Sequence, residues 1–368
     1  MSAERQPRLN PFAFPSDTVF RFGLLVVAVL GANLYVWQWI ASTTRSTEEH
    51  LEGTRACLAV VAQGPDAFSG CVSELYRYQV SWMVGGTIAL ALASAAILLA
   101  YPVWIARRRR LVPLGADDAP AAVARVRELA AELGVDPPEL LWNPLDPSPT
   151  GLAFGRPGRY AVAVGGGLVV RQATDPAAFD AVVRHELAHL RNRDVGVTYL
   201  TLATWYAFLA VVVLPFAVTL LTDLRNPFLD VTWRLLALAL LVYLTRNAVL
   251  RSREVYADVR ASTTDGPDGA LRRVVAGLPA GRRDLLGRIR AVHPSPAERL
   301  AAVDDTRPLF PLGAAAAFAA GLSSTIAYES VVQLLSTYID DAFDLRLAAA
   351  LAYAPLAIGV VGVAIWRE

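Results

Sequence analysis

The sequence predicts a mainly α-helical, polytopic membrane protein with about six transmembrane helices and an α+β domain on its cytoplasmic side. Three observations carry this expectation. The 368 residues are 55% hydrophobic and 18% charged with a mean hydropathy of +0.40, too apolar for a water-soluble chain of this length. Six stretches are long enough to cross a hydrocarbon core, which takes about 20 apolar residues. All 34 basic residues are arginines, and they crowd into alternate loops.

The expected spans run roughly over Val19–Ile40, Val80–Ala106, Gly196–Leu221, Phe228–Leu250, Leu309–Leu335 and Leu347–Trp366. They divide the chain into 1–110 (two spans and an external loop), 111–195, a transmembrane hairpin at 196–250, 251–308, and 309–368 (two further spans). Arginine accumulates on the cytoplasmic side of short loops. Between spans two and three lie 12 arginines and between spans four and five 11, whereas the opposite loops hold only Arg45, Arg55, Arg77 and Arg225. Both termini and segments 111–195 and 251–308 are therefore expected in the cytoplasm. The run Arg107–Arg110 directly follows a span and fits lipid headgroups better than nucleic acid, so the bilayer is the expected partner and no nucleic acid is. The first apolar run lacks a small-residue cleavage site after it and reads as a retained signal anchor. Net charge is +1 and points to no partner, because topology segregates the charge. The two cysteines, Cys57 and Cys71, share the first external loop, where a disulfide is expected and two free thiols are the alternative.

Segments 111–195 and 251–308 should fold together. Val123, Val126, Leu129, Ala130 and Leu133 form one helical stripe that ends at Gly134. Proline then excludes regular structure except a brief strand at Leu140–Trp142. After a "GRPGR" turn, "YAVAVGGGLVV" reads as a strand whose part Tyr160, Ala161, Val162, Ala163 and Val164 is expected to offer an open edge to an extended substrate.

Asp175 and Pro176 read as the N-cap and first turn of a helix that carries "HELAHLRNRD", residues 185–194. At 3.6 residues per turn His185 and His189 share a face and can converge on one metal ion, with Glu186 rotated about 100° towards an attacking water. Only four histidines occur in the chain, so two at ligand spacing is a pointed arrangement. A third ligand is needed beside an open position. Glu254 is the candidate, with Asp258 one turn on as an acceptor that fixes an imidazole tautomer. Asp258 and Asp194 are the next carboxylates should Glu254 not ligate. Taken alone, Glu254, Asp258 and the neighbouring Arg253 are an ordinary exposed helix surface.

"HELAHLRNRD", a hairpin of spans and then "SREVYAD" together resemble the HtpX-type and CaaX-prenyl-protease-type membrane zinc metallopeptidases of family M48. "TGLAFGRPGRYAVAVGGGLV" and "VHPSPAERLAAV" are similar to that family's edge-strand and His-Pro stretches, so the resemblance covers roughly Ala121–Val303. It implies a zincin-like (gluzincin) domain binding one Zn2+ per chain through His185, His189 and Glu254. Glu186 is then the general base, Asp258 a support, and His293 a group that helps hold substrate or oxyanion; a structural cap at the start of a helix is the alternative for its His-Pro-Ser. The sequence departs from the family at Thr150 and Val255, on the substrate side of the site. The implied reaction is hydrolysis of peptide bonds in membrane proteins or in a specific precursor peptide. A BlaR/MecR-type sensor peptidase, a site-two-type intramembrane protease and a non-catalytic membrane scaffold or transport protein are the alternatives. The arginines flanking the motif argue against the intramembrane protease. Neither the substrate nor the oligomeric state can be read from the residues.

Overall fold

A computed structural model describes residues 10–13, 16–44, 47–222, 229–265, 269–279 and 290–309, together with Gly287 and isolated positions between 318 and 351. The chain divides into two compact units, one of Gly23–Ala95, Thr204–Thr245 and Leu312–Glu368, the other of Met1–Phe22, Ala96–Ala203 and Arg246–Pro311.

Most of the apolar runs fold as helices, and a polar helix lies between the first two of them. These are α1 (Asp17–Thr44), the polar α2 (Thr47–Ala59), α3 (Pro65–Arg108), α7 (Asp194–Phe208), α8 (Leu214–Thr222) and α9 (Leu229–Ser262). A π-helical turn at Leu209–Val213 joins α7 to α8 immediately before Pro215. Proline clashes with the carbonyl four residues back, and the wider turn relieves that contact. Among the described residues, four stretches are long and apolar enough to cross a membrane: Asp17–Thr44, Pro65–Arg108, Asp194–Thr222 and Thr232–Ser262. They overlap the first four expected spans, while most of spans five and six lies outside the described residues. Within the first unit, Cys57 on α2 and Cys71 on α3 form the expected disulfide.

The other unit holds a four-stranded sheet of β1 (Val112–Pro113), β2 (Glu139–Asn143), β3 (Gly151–Arg156) and β4 (Arg159–Gly165), in the order β1-β2-β4-β3. Here the structure corrects two expectations. The segment Tyr160–Val164 is a strand but not an edge. It pairs parallel with β2, Ala161 opposite Glu139, and antiparallel with β3, Ala161 opposite Phe154. The cause is burial: Ala161, Val162, Ala163 and Val164 are all in the core, so both faces and both flanks of β4 are covered, and the exposed edge passes to β3. Nor does "YAVAVGGGLVV" remain one strand, because helix α5 (Gly166–Thr174) starts at its second glycine. A Cβ at Gly165 would stand 2.2 Å from the Ser148 carbonyl oxygen, and one at Gly167 2.0 Å from that of Pro147. Only glycine admits the preceding loop so close, and the packing turns the chain from strand into helix.

Helix α4 (Pro120–Glu132) and Leu133 bury the whole expected stripe against the sheet and against α6 (Pro176–Asn192). Asp175 caps α6, accepting from the Ala178 N–H at 3.2 Å. Arg125 on α4 grips Asp180 on α6 through Nε at 3.0 Å and Nη2 at 2.6 Å, and its side chain is only partly exposed. On its other side α6 meets α9 and α10 (Ala270–Ala276) through small residues: Ala181 and Ala188 pack with Ala257, Ala261 and Ala270. Alanines on both helices let the backbones approach closely enough for short side chains to meet across the seam. Truncating Leu129, which is fully buried, is expected to leave a cavity between α4 and the sheet. Leu129→Ala should cost about 2–5 kcal/mol, read as a lowered unfolding temperature of the purified protein.

Candidate metal centre

Helix α6 brings His185 and His189 to one face, their ring centroids 4.8 Å apart and their planes near perpendicular. Across the alanine seam, α9 contributes Glu254. Its Oε2 lies 3.6 Å from His185 Nε2 and its Oε1 3.6 Å from His189 Nε2. One donor atom from each of the three side chains lies within 4.8 Å of the others, and all three residues are buried or nearly so. Two imidazole nitrogens and a carboxylate oxygen facing a common point form a donor set that fits a divalent transition metal with a position left open.

The outward ring nitrogens settle how the imidazoles present themselves. His189 Nδ1 is 2.9 Å from Asp194 Oδ1, and His185 Nδ1 is 2.9 Å from Asp258 Oδ1, the latter off the line of a hydrogen bond. A carboxylate at Nδ1 favours a proton there, which leaves the Nε2 lone pair facing the cluster. Asp258 is itself clamped by Arg299, whose Nε and Nη2 donate at 2.5 and 2.6 Å. Arg299 sits on α11 (Pro296–Asp304), which opens with a capping box between Ser295 and Glu298. Asp194 depends on the end of α6. Arg193 there adopts a left-handed conformation, φ 57° and ψ 26°, and its N–H returns to the His189 and Leu190 carbonyls. That turn starts α7 at once, so the Asp194 carboxylate folds back under His189.

Glu186 points away from Glu254 towards the sheet edge. Its Oε2 accepts from the Ala153 N–H on β3 at 2.6 Å. The approach needs Gly151, where a Cβ would fall 2.5 Å from Glu186 Cγ. A cavity of about 440 Å3 opens over these groups. His185, Glu186 and Glu254 form its polar wall, and Val182, Val274 and Leu278 belong to an apolar one. His293 stands at the rim, its side chain 66% exposed and its Nδ1 3.3 Å from Glu254 Oε2. Thr150 lines the same cavity with its hydroxyl 2.9 Å from Ser148 Oγ, whereas Val255, on α9 itself, is partly buried against the cluster of Tyr256, Val259, Ala302 and Leu309.

His185, His189, Glu254, Asp258 and His293 are thus brought together, with Glu186 alongside. Sequence reasoning missed Arg253 as part of the site: it is not a surface neighbour of Glu254 but a buried side chain bonded to it at 2.9 Å. Arg299 and the contact of Asp194 with His189 were also missed. Asp194 directly follows the motif and was weighed only as a substitute ligand. Arg299 lies in the "VHPSPAERLAAV" stretch, where nothing local to the sequence sets the direction in which its side chain reaches.

A helix pair offering two histidines and a glutamate, a further glutamate at a strand edge and long apolar helices define a membrane metallopeptidase. The comparisons agree. The chain belongs to peptidase family M48, whose sequence profile matches residues 119–307. It is similar to the protease HtpX homolog of Acidiphilium cryptum, 34% identical over 217 residues that span 54% of this chain and 70% of that one. The protease HtpX homolog of Moorella thermoacetica is 31% identical over 211 residues, 54% of this chain and 69% of its own. No solved structure matches the chain.

Burial disfavours a charged His185, but Asp258 and Glu254 outweigh it and hold the imidazole up to about 10. At neutral pH a metal must therefore displace a proton from His185. Metal affinity should strengthen as pH rises from 6 to 9, by about tenfold per unit while one proton is released per ion bound. Titrating the purified protein against a competing chelator at each pH checks this, and an affinity flat across the range contradicts it.

Proposed function

We propose that this chain is a zinc-dependent endopeptidase that hydrolyses peptide bonds of membrane proteins, or of a precursor peptide, at the cytoplasmic face of the membrane. The observation that carries the reading is the juxtaposition of the His185, His189 and Glu254 donors with Glu186 at the edge of β3, all opening on one cavity.

Zinc held by His185, His189 and Glu254 would supply a Lewis acid for the scissile carbonyl and the attacking water. The chain's own groups do the rest. The open edge of β3 suits an extended peptide, which would pair by main-chain hydrogen bonds and bring one peptide bond over the cluster. Glu186, held beside that edge, accepts the proton of the attacking water and passes it to the leaving amine. His293 at the rim has a ring nitrogen within reach of the same space and serves to hold substrate or the developing oxyanion. Asp194 and Asp258 keep the imidazoles turned inward throughout.

Orientation rests on two independent features. The arginine-rich segments lie between spans two and three and between spans four and five, on the side expected to be cytoplasmic. The Cys57–Cys71 disulfide lies between spans one and two, and disulfides persist in oxidising compartments.

The test separates ligand from base. Replacing His185, His189 or Glu254 with alanine should remove both zinc and activity. Glu186→Gln keeps all three ligands and should retain stoichiometric zinc while cleavage of a casein-like peptide falls by about 10²- to 10⁴-fold. A Glu186→Gln protein cleaving at the wild-type rate would reject the mechanism. A wild-type protein that never retains zinc would reject the site.

A further inference from the structure

The side chain of Arg253 is nearly as buried as those of the metal-binding groups, at 12% exposure, and it lines the same cavity. A guanidinium placed there needs every donor matched, because an uncompensated buried charge is strongly unfavourable. Its pairing is one-sided. Nε donates to Glu254 Oε1 at 3.0 Å, and Nη2 stands 2.9 Å from that same oxygen. Nη1 donates at 2.5 Å to the Thr198 hydroxyl, which in turn donates to the Asp194 carbonyl at 2.8 Å. Arg253 is thus anchored to the residue whose carboxylate holds His189.

A carboxylate oxygen has about two lone-pair directions. Two guanidinium donors on Oε1 occupy both and draw electron density from that atom. Both oxygens face the cluster at the same range, Oε1 3.6 Å from His189 Nε2 and Oε2 3.6 Å from His185 Nε2, but only Oε1 is bonded by the guanidinium, while Oε2 has the exposed His293 Nδ1 at 3.3 Å. We infer that Arg253 is a positioning residue that makes Glu254 a one-oxygen ligand: it reserves Oε1 and presents Oε2 alone to the metal. Thr198 keeps the guanidinium from swinging away. The consequence for the site is an uncrowded centre, since a carboxylate bound through both oxygens would fill a position that water and substrate require. This inference rests on the metallopeptidase reading.

The experiment compares the full-length wild type with Arg253→Met and Arg253→Lys, each purified and loaded with zinc. One measurement is zinc affinity by chelator competition. The other is X-ray absorption at the zinc edge, which counts oxygen and nitrogen neighbours and does not depend on turnover. In Arg253→Met both Glu254 oxygens are free, so one added oxygen neighbour is expected, with affinity weakened about 10- to 100-fold as for other partners of metal ligands. Should that variant not fold, Arg253→Lys carries the test, because one ammonium cannot cover Oε1 twice and also reach Thr198. The added neighbour is expected there too. A folded variant with the neighbour count and affinity of the wild type overturns the inference while leaving the metallopeptidase reading intact. A wild type that binds no zinc overturns both.

Discussion

The constraint on which this structure turns is the neutralisation of buried charge around two imidazoles. Glu254, Asp258 and Asp194 are all buried within reach of His185 or His189. Each carboxylate left uncompensated would cost several kcal/mol. Arg253 and Arg299, themselves nearly buried, answer two of those charges, and the imidazoles answer the rest. Much of the surrounding architecture follows from placing these groups. The alanine seam sets the distance between α6 and α9, the capping box starts α11 where Arg299 can reach Asp258, and the left-handed Arg193 returns Asp194 to His189. A non-glycine residue in that conformation costs of order 1 kcal/mol or more, which suits a site whose geometry is set by its surroundings.

Local physics made much of this legible beforehand. The stripe of α4, the Asp175–Pro176 start of α6, the spacing of His185 and His189 and the pairing of Cys57 with Cys71 are each set by a few neighbouring residues. What stayed hidden depends on contacts distant in sequence. Nothing within "YAVAV" reveals that a parallel partner, Glu139–Asn143, will close one flank of β4 and pass the open edge to β3. The glycines after it read as part of the strand because their purpose lies in the loop at Pro144–Ser148 that packs on them. Arg253 looked like a surface residue because arginine usually is one. Only the fold turns it inward.

Beyond their shared apolar core, the sheet and α6 are joined by a polar contact at the Ala153 N–H. This N–H belongs to a strand whose outer edge is unpaired, and it holds the carboxylate expected to act as base. An extended chain laid along β3 would contend for that same donor. In the proposed reaction, substrate pairing and the freedom of Glu186 would be coupled through that main-chain hydrogen bond, and Gly151 is the residue that lets Glu186 come so near the strand.

The clamp between Arg299 and Asp258 also bears on how the protein is made. Chains emerge N-terminal end first, and domains fold as units during synthesis. His185 and His189 are made first, Glu254 and Asp258 follow near the end of α9, and Arg299 comes another 41 residues beyond Asp258. Until α11 has left the ribosome, Asp258 lacks the cation that clamps it. Support of His185 through Asp258 thus waits on a residue made well after both helices that carry the cluster.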